Sequence, residues 1–139
     1  MSIESSLIAH LRADAGLIAL VGSRVRLKYA EPSDTSRVIV HRISGDHYHH
    51  MAAATGIVRG RFQLNCDADT PIKSIAISEA IRQSLDGFRG TMGDVFVQMC
   101  HLESESDDET APIPGASTGI YSQRLDYLIA WGVSVPVFT

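Results

Sequence analysis

Aromatic side chains are scarce in this sequence, at 6% of residues, so it has little with which to build a base-stacking surface for nucleic acid. Excess positive charge is missing too. With 12 Lys and Arg against 16 Asp and Glu, the formal net charge is -4, and no global basic field draws the chain to nucleic acid or an anionic membrane. No apolar run approaches the roughly 18 residues that a membrane span needs. The N-terminal stretch MSIESSLIAHLRADAG carries Glu4 early and has no basic segment ahead of a long apolar run, so no signal peptide is expected. Cysteine is limited to Cys66 and Cys100, far apart, without a CxxC motif and each within an apolar strand pattern. These are expected to be core thiols in a soluble protein of a reducing compartment.

Catalytic signatures are lacking as well. There is no GxSxG elbow, no P-loop, no glycine-rich fingerprint after a strand and no Cys/His pair in motif context. The expected activity is therefore binding rather than bond-making, with no cofactor.

What is present fits one ordinary folded domain over residues 1–139. The chain is 45% hydrophobic and 20% charged, close to the globular average and long enough to bury a core without staples. Ile3, Leu7, Ile8 and Leu11 repeat at helical spacing behind Ser2 as N-cap, and Asp14-Ala15-Gly16 breaks that helix before a short apolar turn ending at Gly22. Val25, Leu27 and Tyr29 then alternate with Arg24, Arg26 and Lys28, as a two-faced strand requires. A strand over residues 37–43 follows, with a central Val-Ile-Val run. Residues 44–56 read as a connection, and the next strand, residues 57–66, alternates Val58, Phe62, Leu64 and Cys66 with Arg59, Arg61, Gln63 and Asn65.

The main helix is predicted over about residues 70–86, capped by Asp69 or Thr70, with Pro71 near its first position and Gly87 at its end. Ile77, Ala80, Ile81 and Leu85 line one face, and Ile72, Ile75 and Ala76 widen the apolar arc beyond a single stripe. After a glycine-rich turn at residues 88–93, strands are expected over residues 95–102 and from Ile120 to about Val135. The fold class is α+β: a mixed, mainly antiparallel sheet of about five strands carrying an N-terminal helix and the main helix.

Three clusters are candidates for function. His47-Tyr48-His49-His50 could serve a small metal- or ligand-binding module. The group sits in a predicted loop without paired cysteines or a helical HExxH, so a plain surface loop is preferred. Arg24, Arg26, Lys28, Arg37, Arg42, Arg59 and Arg61 crowd the first strands, and inter-subunit ion pairs are favoured over a phosphate surface. Residues 103–118 read as a long loop, acidic in Glu103-Ser104-Glu105-Ser106-Asp107-Asp108-Glu109 and rich in Pro, Gly and Ser thereafter. A connection of that length is functional or mobile, and it lacks the spacing of a calcium loop. The expected interface residues are Arg59, Arg61, Ile72, Ile75, Asp107, Asp108 and Glu109.

The order of these segments carries a resemblance. An IxxxLIxxLxAD helix, the turn GLIALVGSRVRLKYAEP, VIVHRISG, the strand GRFQLNCDAD, the helix TPIKSIAISEAIRQSLDGFRG and the strand GIYSQRLDYLIAWGV follow one another over roughly residues 3–134. This chain resembles the tail-completion (tail terminator, head–tail joining) proteins of long-tailed bacteriophages, prophages and gene-transfer particles. The HYHH segment and the acidic linker depart from that pattern. The resemblance implies a mixed sheet flanked by helices. It also implies a virion subunit, assembled in the bacterial cytoplasm, that forms a ring, commonly a hexamer, on the head-proximal end of the tail tube. Tail tube protein and head–tail connector are the implied partners, without membrane or sequence-specific nucleic acid.

Overall fold

In the computed structural model, residues 2–29, 36–49, 54–110 and 120–135 are described. Three helices and six strands follow in the order α1 (Ile3–Arg12), α2 (Ala15–Val21), β1 (Val25–Leu27), β2 (Arg37–His49), β3 (Ala54–Ala68), α3 (Pro71–Leu85), β4 (Gly90–Met92), β5 (Val95–Thr110) and β6 (Ile120–Gly132). The helices begin where short polar side chains can take up orphan backbone donors. Ser2 Oγ accepts from Ser5 N at 3.1 Å, Asp14 Oδ2 from Leu17 N at 2.9 Å, and Thr70 Oγ1 from Lys73 N at 3.3 Å. Asp14 is thus the start signal of α2 as well as the break after α1. Pro71 occupies the first turn of α3, where its missing N–H costs nothing.

The strands form one six-stranded sheet of order β1-β2-β3-β6-β5-β4. β1 pairs parallel with β2, and every other pairing is antiparallel. The mixed, mainly antiparallel α+β class is as expected, with six strands rather than five. The added strand is β4, which the glycine-rich turn conceals: Gly90–Met92 pairs with Val95–Val97 across the tight turn at Gly93, whose φ is 64°.

Alternation puts Val58, Phe62, Leu64 and Cys66 of β3 and Leu125, Tyr127, Ile129 and Trp131 of β6 on one face. The helices cover that face with Leu7, Leu11, Leu17, Ile77, Ile81 and Leu85, all fully buried. Ser74 Oγ donates to the Cys66 carbonyl at 2.8 Å, fixing α3 on β3. His10 Nε2 lies 3.1 Å from Ser84 Oγ, and its ring meets Phe88 edge-on at 4.9 Å, joining α1 to the end of α3. Both cysteines are buried and unpaired, in line with the expected core thiols. Burial pushes the Cys66 thiol upward, and it pushes Cys100 up to about 12.

Two expected loops are strand. The acidic stretch 103–110 continues β5, paired residue by residue with β6 from Ser104↔Asp126 to Thr110↔Ile120. The backbone ladder that β6 supplies overrides the weak strand propensity of Asp, Glu and Ser. The second half of the predicted 103–118 loop lies outside the described residues. Likewise His47-Tyr48-His49 belongs to β2, with His47 opposite Val58 and His49 opposite Ala54, so β2 and β3 form a longer hairpin than predicted. His50 lies outside the described residues.

Candidate assembly surfaces

Among the described residues the helices lie on one face of the sheet, and the other face presents cross-strand rows of polar side chains. His41, Gln63, Asp126 and Ser104 share one row across four strands, and Ser104 Oγ donates to Asp126 Oδ2 at 3.0 Å. The row beside it contains Ser44, Arg61, Leu128 and His101. Arg61 reaches across β6 to Glu103 of β5, with Nη2 3.0 Å from Oε2. Glu103 is the extra residue of a bulge between Leu102 and Ser104, which turns its side chain toward this face.

Most of the arginines expected to pair between subunits are engaged within the chain. Arg24 Nε donates to the Ser36 carbonyl at 2.6 Å, Arg37 Nε to Asp67 Oδ2 at 3.0 Å, and Arg42 Nη1 to Glu4 Oε1 at 3.1 Å. These neighbours are distant in sequence and meet only through strand pairing and helix docking. Arg42 also lies over the Trp131 ring, 5.0 Å from its centroid. Burial alone would raise the Glu4 carboxyl. Its hydrogen bonds to its own backbone, Arg42 and Ser2, with the Arg42 charge, outweigh that effect and hold it below the ordinary value. Arg59 keeps an exposed side chain, in register with Asp46 on one side and Ala130 on the other.

Of the other expected interface residues, Ile75 and Asp107 come together. They line a groove of about 410 Å³ with Pro71, Ser74, Tyr121 and Gln123, where the first turns of α3 pass the far ends of β5 and β6. Ile72 stands beside it on the outer face of α3 and is 80% exposed, against 56% for Ile75. Two isoleucines so open form a small apolar patch beside the groove. The side chains of Asp108 and Glu109 lie outside the described residues. The expected interface residues are thus split between the two faces of the sheet: Arg59 and Arg61 on the open face, Ile72, Ile75 and Asp107 on the helix side.

His47 and His49 both line a depression of about 300 Å³ with Tyr48, Gly56 and Ile57. Among the described residues no three of His, Cys, Asp and Glu are gathered to hold a metal ion. Nor is any described helix long and apolar enough to cross a membrane.

Sequence reasoning missed Asp67. It lies at the end of β3, buried, accepting from Arg37 Nε on one oxygen and from the Ser122 hydroxyl on the other. The segment NCDAD read as the end of a strand and showed nothing of this ionic tie between β2, β3 and β6.

Among the described residues both sheet edges are only partly covered. β4 covers the outer edge of β5 at Val95–Val97, Gly87 N donates to the Cys100 carbonyl at 2.8 Å, and Asp86 Oδ1 accepts from Leu102 N at 3.1 Å. Beyond Leu102 nothing among the described residues covers that edge. On the other side β1 covers β2 only at Val38–Val40, leaving residues 41–49 without an outer strand among the described residues.

No family model and no curated protein matches the chain. Solved structures do. One is a chain of the virion of a native gene transfer agent particle, superposing with a TM-score of 0.74 at 16% identity over 94% of this chain and 95% of that one. A second solved structure superposes with a TM-score of 0.51 at 14% identity over 99% of each chain. The protein thus shares, over nearly its whole length, the fold of a chain from a gene transfer agent virion.

Proposed function

We propose that this protein is a structural virion subunit that forms a ring, six copies in the simplest case, at the head-proximal end of a tail tube. There it ends tube polymerisation and joins the tail to the head connector. The observation that carries this reading is the fold shared with a gene transfer agent virion chain over 94% of the sequence. The order of sequence segments, which resembles tail terminators, supports it independently. The surfaces agree in kind: an apolar patch at Ile72 and Ile75, an acidic strand end containing Asp107, Asp108 and Glu109, and exposed Arg59 beside Arg61. These suit contacts between subunits and with tube and connector.

Deleting the gene in the particle-producing cell tests the proposal. Overlong tail tubes and heads without tails are the expected result, restored by the wild-type gene. Tails of normal length joined to heads would overturn it. Neutralising Asp107, Asp108 and Glu109 together is expected to leave folding intact and weaken docking, read as a lower yield of joined particles.

A further inference from the structure

We infer that the bare edge of β5 in one copy pairs with the bare edge of β2 in the next, so that successive sheets join head to tail. The inference rests on the ring reading above and names the contact that would build the ring.

The two edges match in length. Residues 103–110 on β5 and 41–49 on β2 lack an outer strand among the described residues. At roughly 3.3 Å per residue each offers about 25–30 Å of backbone donors and acceptors. Such an edge is a template for another strand.

Their chemistry differs, and the difference selects the partner. Along the β5 edge the sequence places Glu103, Glu105, Asp107, Asp108 and Glu109 with no basic residue. The β2 edge carries His41, His47 and His49 with one acid, Asp46, and exposed Arg59 flanks Asp46 from β3, while Arg42 is already held by Glu4 within the chain. Two β5 edges would set carboxylates against carboxylates, which is destabilising across a strand pair. A β5 edge against a β2 edge avoids that repulsion and sets carboxylates beside the imidazoles of β2, with the Arg59 guanidinium next to them on β3. Self-association by this route joins unlike edges, and unlike-edge contacts close into rings or run on as filaments rather than stopping at a two-fold dimer. The second copy is thus the occupant that the charges favour.

Cross-linking in the purified full-length protein tests the pairing. Ser106 and Ser44 are exposed on the two edges and share the open face of the sheet. The native thiols are buried and stay out of the reaction. A mixture of Ser44→Cys and Ser106→Cys proteins under mild oxidation should give cross-linked dimers, and neither variant alone should. Both changes in one chain should give a ladder ending at the ring size. Ser104→Cys replaces Ser106→Cys if the register is shifted or that variant fails to fold. Adding Glu105→Lys and Asp107→Lys should cut the cross-linked yield about tenfold.

Dimers from Ser106→Cys alone would overturn the inference, because like edges would then be meeting. So would the absence of cross-links in every mixture, whether the protein is monomeric or oligomeric, since the charges then serve only to guard the edges. A ring in native mass spectrometry without these cross-links refutes the edge pairing and leaves the proposed function standing. Normal tails in the gene deletion refute the function and leave the pairing to its own test.

Discussion

The indole of Trp131 lies so close over Gly60 that a Cβ built on the glycine would come within 2.9 Å of the ring, and within 2.7 Å of the Ser44 carbonyl oxygen. Gly60 faces the helix side of β3, where Trp131 of β6 also meets Phe62 edge-on at 5.8 Å. The Ser44 oxygen is backbone held in the β2–β3 ladder and cannot yield cheaply. Gly60→Ala is therefore expected to destabilise the protein by about 1–3 kcal/mol. Thermal or urea denaturation checks it, and unchanged stability would mean that the sheet opens easily here.

Asp67 gives a second expectation. Its side chain and that of Arg37 are 11% and 13% exposed, so the ion pair is mostly withdrawn from water. Asp67→Ala removes the carboxylate to which Arg37 and Ser122 donate, and a loss of about 3 kcal/mol is expected. A double-mutant cycle with Arg37→Ala should return a coupling of at least about 1 kcal/mol. Additive effects would show that the pair contributes no interaction of its own.

Tyr127 is fully buried, and its hydroxyl has no hydrogen-bond partner among the described residues. Burying an unsatisfied hydroxyl costs about 1–3 kcal/mol. Burial also drives the phenol well above its ordinary range, with the nearby Cys100 and Asp86 adding to the effect. Tyr127→Phe is expected to keep or raise the melting temperature. A clear fall would reveal a partner for the hydroxyl.

The Glu4–Arg42 pair sets a pH dependence. The Glu4 carboxyl is held below its ordinary value of 4.5, so its contribution is fully present above that value. It is lost as pH falls through the lower folded-state value. Glu4→Gln should therefore lower stability near neutrality and narrow the gap to wild type in acid. Chemical denaturation at several pH values measures this. A gap that widens in acid would contradict the lowered carboxyl.

Much of the fold was legible because its signals are local. Ser2 and Thr70 announce helix starts by side chains that reach three residues ahead, and Val58, Phe62, Leu64 and Cys66 announce a face by strict alternation. The acidic half of β5 was not legible: residues 103–110 are strand because β6 lies beside them, and that partner begins ten residues later in sequence, at Ile120. His47-Tyr48-His49 was hidden in the same way, by a pairing with β3 that local composition does not reveal. Asp67 was invisible because its partners, Arg37 and Ser122, come from two other strands. The candidate surface was half legible. Ile72 and Ile75 widen the apolar arc of α3 in plain view, whereas the bare edges exist only once strand order is known.

The place of β6 in the sheet also imposes an order of events. β6 lies between β3 and β5, pairing Val58 with Trp131 on one side and Cys100 with Ile129 on the other. On the ribosome, β3 and β5 emerge before the strand that must join them, so the sheet stays in two pieces until the segment through Gly132 is free. Non-local pairing of this kind is slow to form and leaves strands open to wrong partners meanwhile. Like charges directly opposite one another in a strand pair are destabilising, which disfavours pairing of two β5 segments. The same acidic residues that line the finished edge are thus already in the chain while β5 still lacks its partner strand.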